Sequence, residues 1–306
     1  MERTVGTQGR LVEVAELGLR AARDALSRVP SGSTVAVGGS LNVGHPMALV
    51  RTLLQVQATD LTVVAGFGGF DVDILVGSGS ARRVIAAFVG AEAVEELPPA
   101  LRWATEANIV EAWDIDEGVL LAALRAESQY LPFSVWSSGL GTAAVNSPLV
   151  DVRVDEESGR PYARVSPLAV DVALLWAESA DEAGNVLSWG PEFGDVALAN
   201  AAQLRIVQVE RIVPTAVLER APDRVYPWLG DVIVSSPLGT YPFGSNVLRD
   251  DLEWLRGYAA SVRALRTSGR DWSAVRELIA ELLVLDGDDD AFLSSIGVPR
   301  LRHLMS

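Results

Sequence analysis

Short β-branched apolar segments alternate with amphipathic segments along this chain, and this alternation limits the possible folds more than any other feature. Apolar runs of this kind are typical of strands buried on both faces of a parallel sheet. Strands followed by helices favour an α/β fold with a mostly parallel sheet flanked by helices. The pattern predicts strands at 34–37, 61–65, 84–88, 172–177, 204–209 and 232–234. It predicts helices at 11–29, 46–54, 117–128, 191–202 and 252–266.

We expect residues 1–306 to form a single domain with a helical C-terminal tail from about residue 250. The polar segment 151–162 holds Gly159 and Pro161, which indicates a hairpin or surface insertion. No apolar run approaches the ~18 residues of a membrane-spanning helix, and residues 1–10 lack an apolar signal core. These features predict a cytoplasmic protein with no membrane partner.

The charge balance excludes several kinds of chemistry. The chain has 40 acidic and 25 basic residues, a net charge of -15, two histidines and no cysteine. Lysine is also absent, so a Schiff base and a P-loop are both excluded. An acidic surface repels phosphate backbones, so we expect no nucleic-acid partner, and two histidines argue against a histidine-rich metal site. Carboxylates, hydroxyls and backbone amides remain for catalysis.

A glycine-rich turn from Gly38 to Pro46, containing Gly39, Ser40 and His45, connects a predicted strand to a predicted helix. Such a turn presents backbone N–H groups to an anion or a developing oxyanion. Glycines also serve simply to make a tight turn, and both interpretations stay open. The third glycine of a dinucleotide fingerprint is missing at the required spacing.

Further turns carry other candidate binding residues. Arg82 and Arg83 follow the turn at residues 77–80, and they are either ligands of a phosphate or surface charges. The turn at residues 181–185, which contains Asn185, is also compatible with an ordinary β-turn after the predicted strand 172–177. The candidate binding residues in these turns are Gly68, Gly69, Ser78, Gly139, Gly141 and Asn185.

Glu117 begins the predicted helix 117–128, directly after Asp116. Acidic residues in the first turn of a helix complement its dipole. The alternative is a carboxylate directed into a cleft as a nucleophile or general base. The motif alone leaves both interpretations open.

Taken in order, these motifs resemble the alpha subunits of class I coenzyme A transferases over roughly residues 35–258. The resemblance rests on the 38–46 turn and on segments 60–64, 83–85, 117–120, 131–133, 139–142, 171–185, 208–213 and 237–242. It implies the CoA-transferase (NagB/RpiA-like) fold and pairing with a beta subunit, as an αβ heterodimer or a higher multiple. Acyl-CoA and a carboxylic acid would be the substrates, with no permanently bound cofactor and no metal.

The resemblance also implies a mechanism in which a glutamate attacks the thioester and becomes an enzyme–CoA thioester. In glutaconate-type enzymes this glutamate belongs to the beta subunit. The chain is similar as well to the alpha subunit of a ring-opening hydrolase, in which the residue matching Glu117 would act as a base. A non-catalytic partner subunit is the third alternative. Trp176 stands where the family often has histidine, and tryptophans 103, 113, 136, 176 and 189 are candidate walls of an acyl pocket.

Overall fold

The computed structural model describes residues 2–5, 11–15, 19–90, 93–94, 97–188, 194–227 and 229–305. The strands are β1 Glu2–Val5, β2 Leu11–Ala15, β3 Thr34–Val37, β4 Leu61–Gly68, β5 Ala81–Val89, β6 Glu111–Asp114, β7 Ser134–Trp136, β8 Val150–Val154, β9 Pro161–Val165, β10 Val170–Ala180, β11 Val186–Leu187, β12 Ala202–Ile212, β13 Val225–Tyr226 and β14 Val232–Ser235. The helices are α1 Arg20–Leu26, α2 Met47–Gln55, α3 Phe70–Gly77, α4 Pro99–Glu106, α5 Glu117–Ser128, α6 Asp195–Ala201, α7 Thr215–Leu218, α8 Leu252–Thr267, α9 Ser273–Leu282, α10 Asp289–Ile296 and α11 Val298–Leu304.

The central sheet is mostly parallel, with the order β1-β2-β14-β12-β10-β3-β4-β5-β6. Its pairs from β2 through β6 are parallel, whereas β1 pairs with β2 in antiparallel fashion and β11 adds to the edge of β10 likewise. Helices cover both faces. The expectation of an α/β fold with a mostly parallel sheet flanked by helices is confirmed.

Apolar side chains point to both faces of the sheet and form two cores. In β10, Val172 and Leu174 join one cluster with α2, α3 and the C-terminal helices, whereas Ala173 and Leu175 join the other with α5 and α6. Burial on both faces explains why the strands are continuous apolar runs. The C-terminal helices α8–α11 add to the first core, which supports the proposal of a single domain.

A topological switch point lies between the neighbouring strands β3 and β10. The chain leaves β3 through α2 on one face to reach β4, and it leaves β10 through α6 on the other face to reach β12. Connections that diverge in this way leave a crevice at the carboxyl ends of the two strands, where ligands bind in open α/β sheets. The topology therefore directs attention to the carboxyl edge of β3 and β10.

A separate antiparallel sheet with the order β7-β9-β8 packs beside α5. Strands β8 and β9 form the hairpin predicted for 151–162, with Val154 opposite Pro161. Part of this sheet is buried against α5, where Val165 is fully buried. The remainder of the hairpin extends beyond that helix.

The prediction of a helix over 11–29 is wrong at its start. Residues Leu11–Ala15 form β2, which pairs in parallel with β14, and helix α1 begins only at Arg20. Two valines in this segment suit a strand, and a neighbouring strand was available to pair with it. Helix α6 matches the later part of the predicted 191–202 helix, while 191–193 lie outside the described residues.

Candidate functional site

Two glycine-rich turns meet at the carboxyl edge of β3 and β4. Residues 38–46 follow β3, and residues 66–71 run from the end of β4 into α3. The Leu41 amide donates to the Phe67 carbonyl at 3.2 Å, so the two turns are joined through their backbones. We call these two segments the glycine-turn cluster.

The backbone amides of this cluster already have acceptors within the chain. The Gly38 amide donates to the Leu174 carbonyl at 2.9 Å, and the Ser40 amide donates to the Val43 carbonyl at 2.9 Å. The Gly39 amide donates to the Asp195 carboxylate at 3.1 Å. In the second turn, the Gly69 amide donates to Asp71 Oδ1 at 2.7 Å. Each of these four amides therefore has an acceptor within this chain.

Packing inside the cluster explains why glycine occupies these positions. A Cβ on Gly69 would lie 2.5 Å from the Leu41 carbonyl oxygen, and one on Gly39, where φ is +103°, would lie 2.8 Å from the His45 ring. A Cβ on Gly38 would lie 2.9 Å from Asp195, and one on Gly68 would lie 2.6 Å from Val72. Real Cβ atoms do not tolerate such distances. The tight-turn interpretation is therefore correct for these four glycines.

His45 is fully buried between the two turns. Its Nδ1 lies 2.9 Å from Asp71 Oδ2, with both side chains at 0% exposure. Its Nε2 lies 2.9 Å from the Leu41 carbonyl, and its ring packs on Phe243 with centroids 4.1 Å apart. A carboxylate oxygen and a carbonyl oxygen therefore face the two ring nitrogens. His45 therefore positions the two turns from within, and its contact with a substrate stays a prediction.

A third loop, residues 236–250, closes over the first turn. The Gly44 amide donates to the Gly244 carbonyl at 2.9 Å, and the Gly244 amide donates to the Asn42 carbonyl at 2.8 Å. The Ala48 amide at the start of α2 donates to the Gly239 carbonyl at 2.9 Å. The floor of the crevice is thus made by chain segments that are far apart in sequence.

Ser78 lies at the opposite edge of the sheet from the other candidates. It follows α3 and precedes β5, so it is beside the amino ends of the strands. Its hydroxyl donates to the Leu75 carbonyl at 2.9 Å and caps the end of α3. Ser78 is thus used at the end of α3, across the sheet from the glycine-turn cluster, and its role in substrate binding stays a prediction. The following arginines pair with acidic side chains, Arg82 with Asp60 and Arg83 with Glu111.

Glu117 lies at the exposed N-terminus of α5, after β6. Asp116 is the N-cap of this helix, and its carboxylate accepts from the Gly118 and Val119 amides at 2.9 and 3.3 Å. Since Asp116 performs the capping, the Glu117 carboxylate is available for another role. A Cβ on Gly118 would collide with the Trp136 ring, so Trp136 lies directly beside this helix end.

The loop after Trp136 carries Gly139 and Gly141, with φ of +77° and +81°. The Thr142 hydroxyl donates to the Gly139 carbonyl at 2.7 Å and shapes this loop. A Cβ on Gly141 would meet nothing within 4 Å, so packing does not require glycine at this position. Its left-handed φ is the reason for glycine there. Trp136 brings this loop to the start of α5. We call Glu117, Trp136 and the loop 137–142 the α5 entrance.

Asn185 lies in the turn after β10 and is held by Asp181. The Asn185 side chain donates to Asp181 Oδ2 at 2.8 Å, and the same carboxylate accepts from Thr215 at 2.7 Å. Asp181 is buried, with 1% exposure. Asn185 is thus at the carboxyl edge of the sheet, as predicted from its position after a strand, and helps to fix a turn there.

Glu210 is a carboxylate at the carboxyl end of β12 that the sequence analysis did not assign to a site. Its two oxygens accept from Trp176 Nε1 at 3.2 Å and from the Leu238 amide at 2.8 Å. Burial raises the pKa of Glu210 above its ordinary value, and these two hydrogen bonds offset only part of that effect. The sequence signal that could have identified Glu210 was its position directly after the predicted strand 204–209, because ligands bind at the carboxyl ends of such strands.

The tryptophans do not form one wall. Trp176 packs beside Gly44 with 7% exposure, whereas Trp136 lies at the α5 entrance. Trp103 packs edge-on against Trp272, and Trp113 lies under the Arg83 guanidinium. Residue 189 is outside the described residues.

Two absences apply to the described part of the chain. None of its helices is long and apolar enough to cross a membrane. Within the same ranges, no group of three His, Cys, Asp or Glu side chains is placed to hold a metal ion.

Comparisons with known proteins agree with this arrangement. A family model for coenzyme A transferases matches residues 19–228. The chain is 32% identical over 234 residues to the cholesterol ring-cleaving hydrolase IpdA subunit of Mycobacterium tuberculosis, covering 71% of this chain and 78% of the relative. It is 28% identical over 304 residues to the A-type subunit of glutaconate CoA-transferase from Acidaminococcus fermentans, covering 92% of both. The crystal structure of glutaconate coenzyme A-transferase from that organism superposes with a TM-score of 0.84 at 25% identity, covering 96% of each chain.

Proposed function

Because this chain belongs to the coenzyme A transferase family, we propose that it is the A-type subunit of a heteromeric enzyme that transfers CoA from an acyl-CoA to a carboxylic acid. The observation that carries this proposal is the end-to-end similarity to the A-type subunit of glutaconate CoA-transferase, which includes the C-terminal helices beyond residue 228. The match to the ring-cleaving hydrolase subunit spans a smaller share of the chain. A CoA-thioester substrate would place the complex in the cytoplasm.

The nucleophile of this reaction would be a glutamate of the partner subunit. Its carboxylate attacks the thioester carbonyl, expels CoA as the thiolate and forms a mixed anhydride. The thiolate then attacks the glutamyl carbonyl, which releases the first acid and leaves an enzyme–CoA thioester. A second carboxylic acid reverses these two steps and leaves as the new acyl-CoA. Coenzyme A is therefore a substrate in this proposal, and no resident cofactor is needed.

This chain would contribute the crevice in which these steps occur. The glycine-turn cluster lies at the carboxyl ends of β3 and β4 and would form the floor of this crevice. The loop 137–142, with two glycines in the left-handed region, is the candidate source of amide donors to the oxyanion. Asn185 and Glu210 lie at the ends of β10 and β12, on the other side of β3 from β4.

The test uses the complex of this chain with its cognate B-type subunit. Incubation with an acyl-CoA and no acceptor should produce a covalent CoA adduct on the B-type subunit, detected by mass spectrometry and removed by hydroxylamine. Addition of a carboxylic acid should release a new acyl-CoA. A complex that turns over acyl-CoA but never carries the adduct would exclude the transferase mechanism.

A second candidate function is hydrolysis of a CoA thioester or a C–C bond with Glu117 as general base. The observation that favours it is the Glu117 carboxylate at the α5 entrance, relieved of capping by Asp116. In that case Glu117→Gln should lower kcat by about 100-fold or more with water as acceptor. Glu127→Gln, near the other end of α5, is the matched control and should leave kcat unchanged. Unchanged turnover of both variants would remove this candidate.

A further inference from the structure

We infer that the exposed apolar face of the β8–β9 hairpin is the docking surface for the partner subunit, an inference that rests on the proposed function. We call this surface the Val152 face and define it by Trp136, Val152, Val154 and Pro161. It runs from the α5 entrance outward along the hairpin.

The strand register places these side chains on one face of the small sheet. Trp136 and Val152 both lie opposite Ala163, and Val154 lies opposite Pro161. Residues directly opposite each other in antiparallel strands project to the same side. At the α5 end this face is covered, and Ala163 is 1% exposed. Farther out Val152 and Val154 are 45% and 62% exposed.

Exposed apolar side chains are concentrated in this part of the protein. Five of the ten large apolar residues that are strongly exposed among the described residues lie between residues 130 and 154. Strand β8 is also an edge strand, since no other strand in the described ranges pairs with its outer side. Exposed apolar side chains beside an unpaired edge mark an interaction site or an aggregation risk. A protein partner is therefore the expected occupant.

Two observations select a different subunit over a second copy of this chain. The net charge of -15 makes two copies repel each other, so a less acidic partner is favoured. The Val152 face includes Trp136, whose ring packs against Gly118 beside Glu117. A partner bound to this face would therefore adjoin the α5 entrance. In the proposed reaction the nucleophilic glutamate comes from the partner, and it must reach the candidate oxyanion loop 137–142, which directly follows Trp136. A B-type subunit bearing a glutamate satisfies both requirements.

The test compares the double variant Val152→Asp/Val154→Asp with Val298→Asp, a 60% exposed valine on α11. Buried aspartates should weaken assembly with the cognate B-type subunit by more than about tenfold in Kd, whereas Val298→Asp should assemble like the wild type. Light scattering gives the mass of each complex, and circular dichroism of the isolated chain confirms folding. Equal assembly of the two variants would overturn the inference.

A labelling experiment decides the question if the double variant does not fold. The wild-type chain has no cysteine, so Val152→Cys and Val298→Cys each create a unique thiol for an environment-sensitive fluorophore. Adding the purified B-type subunit should shift the emission at position 152 and leave that at 298 unchanged. An emission shift at 152 when the labelled chain is concentrated alone would identify a second copy as occupant and overturn the inference.

Assembly and catalysis are measured separately in these experiments. A complex that forms through the Val152 face but yields no CoA adduct would refute the proposed reaction and leave the docking surface standing. If the Val152→Asp/Val154→Asp variant assembles normally and its complex transfers CoA, the docking surface is refuted and the proposed reaction stands.

Discussion

At the scale of single residues, Asp71 links the two glycine-rich turns. One of its oxygens accepts from the Gly69 amide at 2.7 Å, and the other lies 2.9 Å from His45 Nδ1. His45 in turn lies 2.9 Å from the Leu41 carbonyl of the first turn. Both side chains are fully buried, so water cannot replace a lost partner.

Replacing Asp71 with alanine should lower the free energy of unfolding by about 3–5 kcal/mol, because it leaves His45 buried without its partner. Asp71→Asn should cost less, since the amide can accept from Gly69 and donate to a neutral imidazole. Chemical denaturation measures both. Arg102→Ala, which removes an exposed pair with Glu106, is the control and should cost about 0–1 kcal/mol. A loss for Asp71→Ala no larger than that of the control would contradict this assignment.

The turns themselves were predictable from sequence, but their hydrogen-bond partners were not. Gly38 and Gly39 after a β-branched run indicated a turn, which the structure contains. The carboxylate that accepts from the Gly39 amide belongs to Asp195, on a different helix. Local pattern carries no information about such a contact, and so the sequence left both interpretations of the turn open.

At the scale of elements, Arg300 of α11 forms an ion pair with Asp251 at the start of α8. Arg300 donates to both oxygens of Asp251, which caps α8 through the Trp254 amide. Burial alone would raise the pKa of Asp251, but hydrogen bonds from Arg300, the Trp254 amide and Tyr241 together hold it below the ordinary value. The Asp251 side chain is 2% exposed.

A carboxyl group with a lowered pKa stabilises the folded chain above its unfolded pKa of about 3.9 and loses this contribution as the pH falls through the folded value. Arg300→Gln should therefore reduce stability at pH 7 and also flatten its decline below about pH 4. Glu253→Gln, which removes the second and 83% exposed partner of Arg300, is the control. Thermal unfolding from pH 7 to pH 2 measures both. Parallel wild-type and Arg300→Gln curves would contradict the assignment.

Elements with strong patterns were predicted well. The predicted 34–37 strand and 117–128 helix coincide with β3 and α5. The helix predicted over 11–29 was wrong at its start because the apolar residues there fit the repeat of a strand as well as that of a helix. Pairing of β2 with β14 makes this segment a strand. The strand β6 was not predicted, because its Glu111–Asp114 sequence is largely exposed and carries little apolar signal.

At the scale of the whole molecule, acidic charge opposes compactness. A net charge of -15 on 306 residues creates self-repulsion that salt screens. Raising sodium chloride from about 20 to 300 mM should increase Tm at pH 7, since the Debye length shortens over this range. Near pH 4.6, where the net charge vanishes, the increase should disappear. An equal increase at both pH values would show that ion-specific effects dominate.

The composition argued against a nucleic-acid partner and excluded lysine chemistry, yet it did not reveal which surface receives a partner. Val152 and Val154 are ordinary strand residues in the sequence. Only the structure shows that the hairpin places them on one face and leaves them exposed.

The loop that closes over the first glycine turn has a consequence for biosynthesis. Gly44 emerges from the ribosome long before Gly244, whose carbonyl accepts from the Gly44 amide. Contacts between such distant segments form late, because the long intervening chain must first be ordered. A nascent chain ending at residue 228 would contain the whole segment that matches the family model and still have an open crevice floor. Maturation of the crevice must therefore await release of the C-terminal segment.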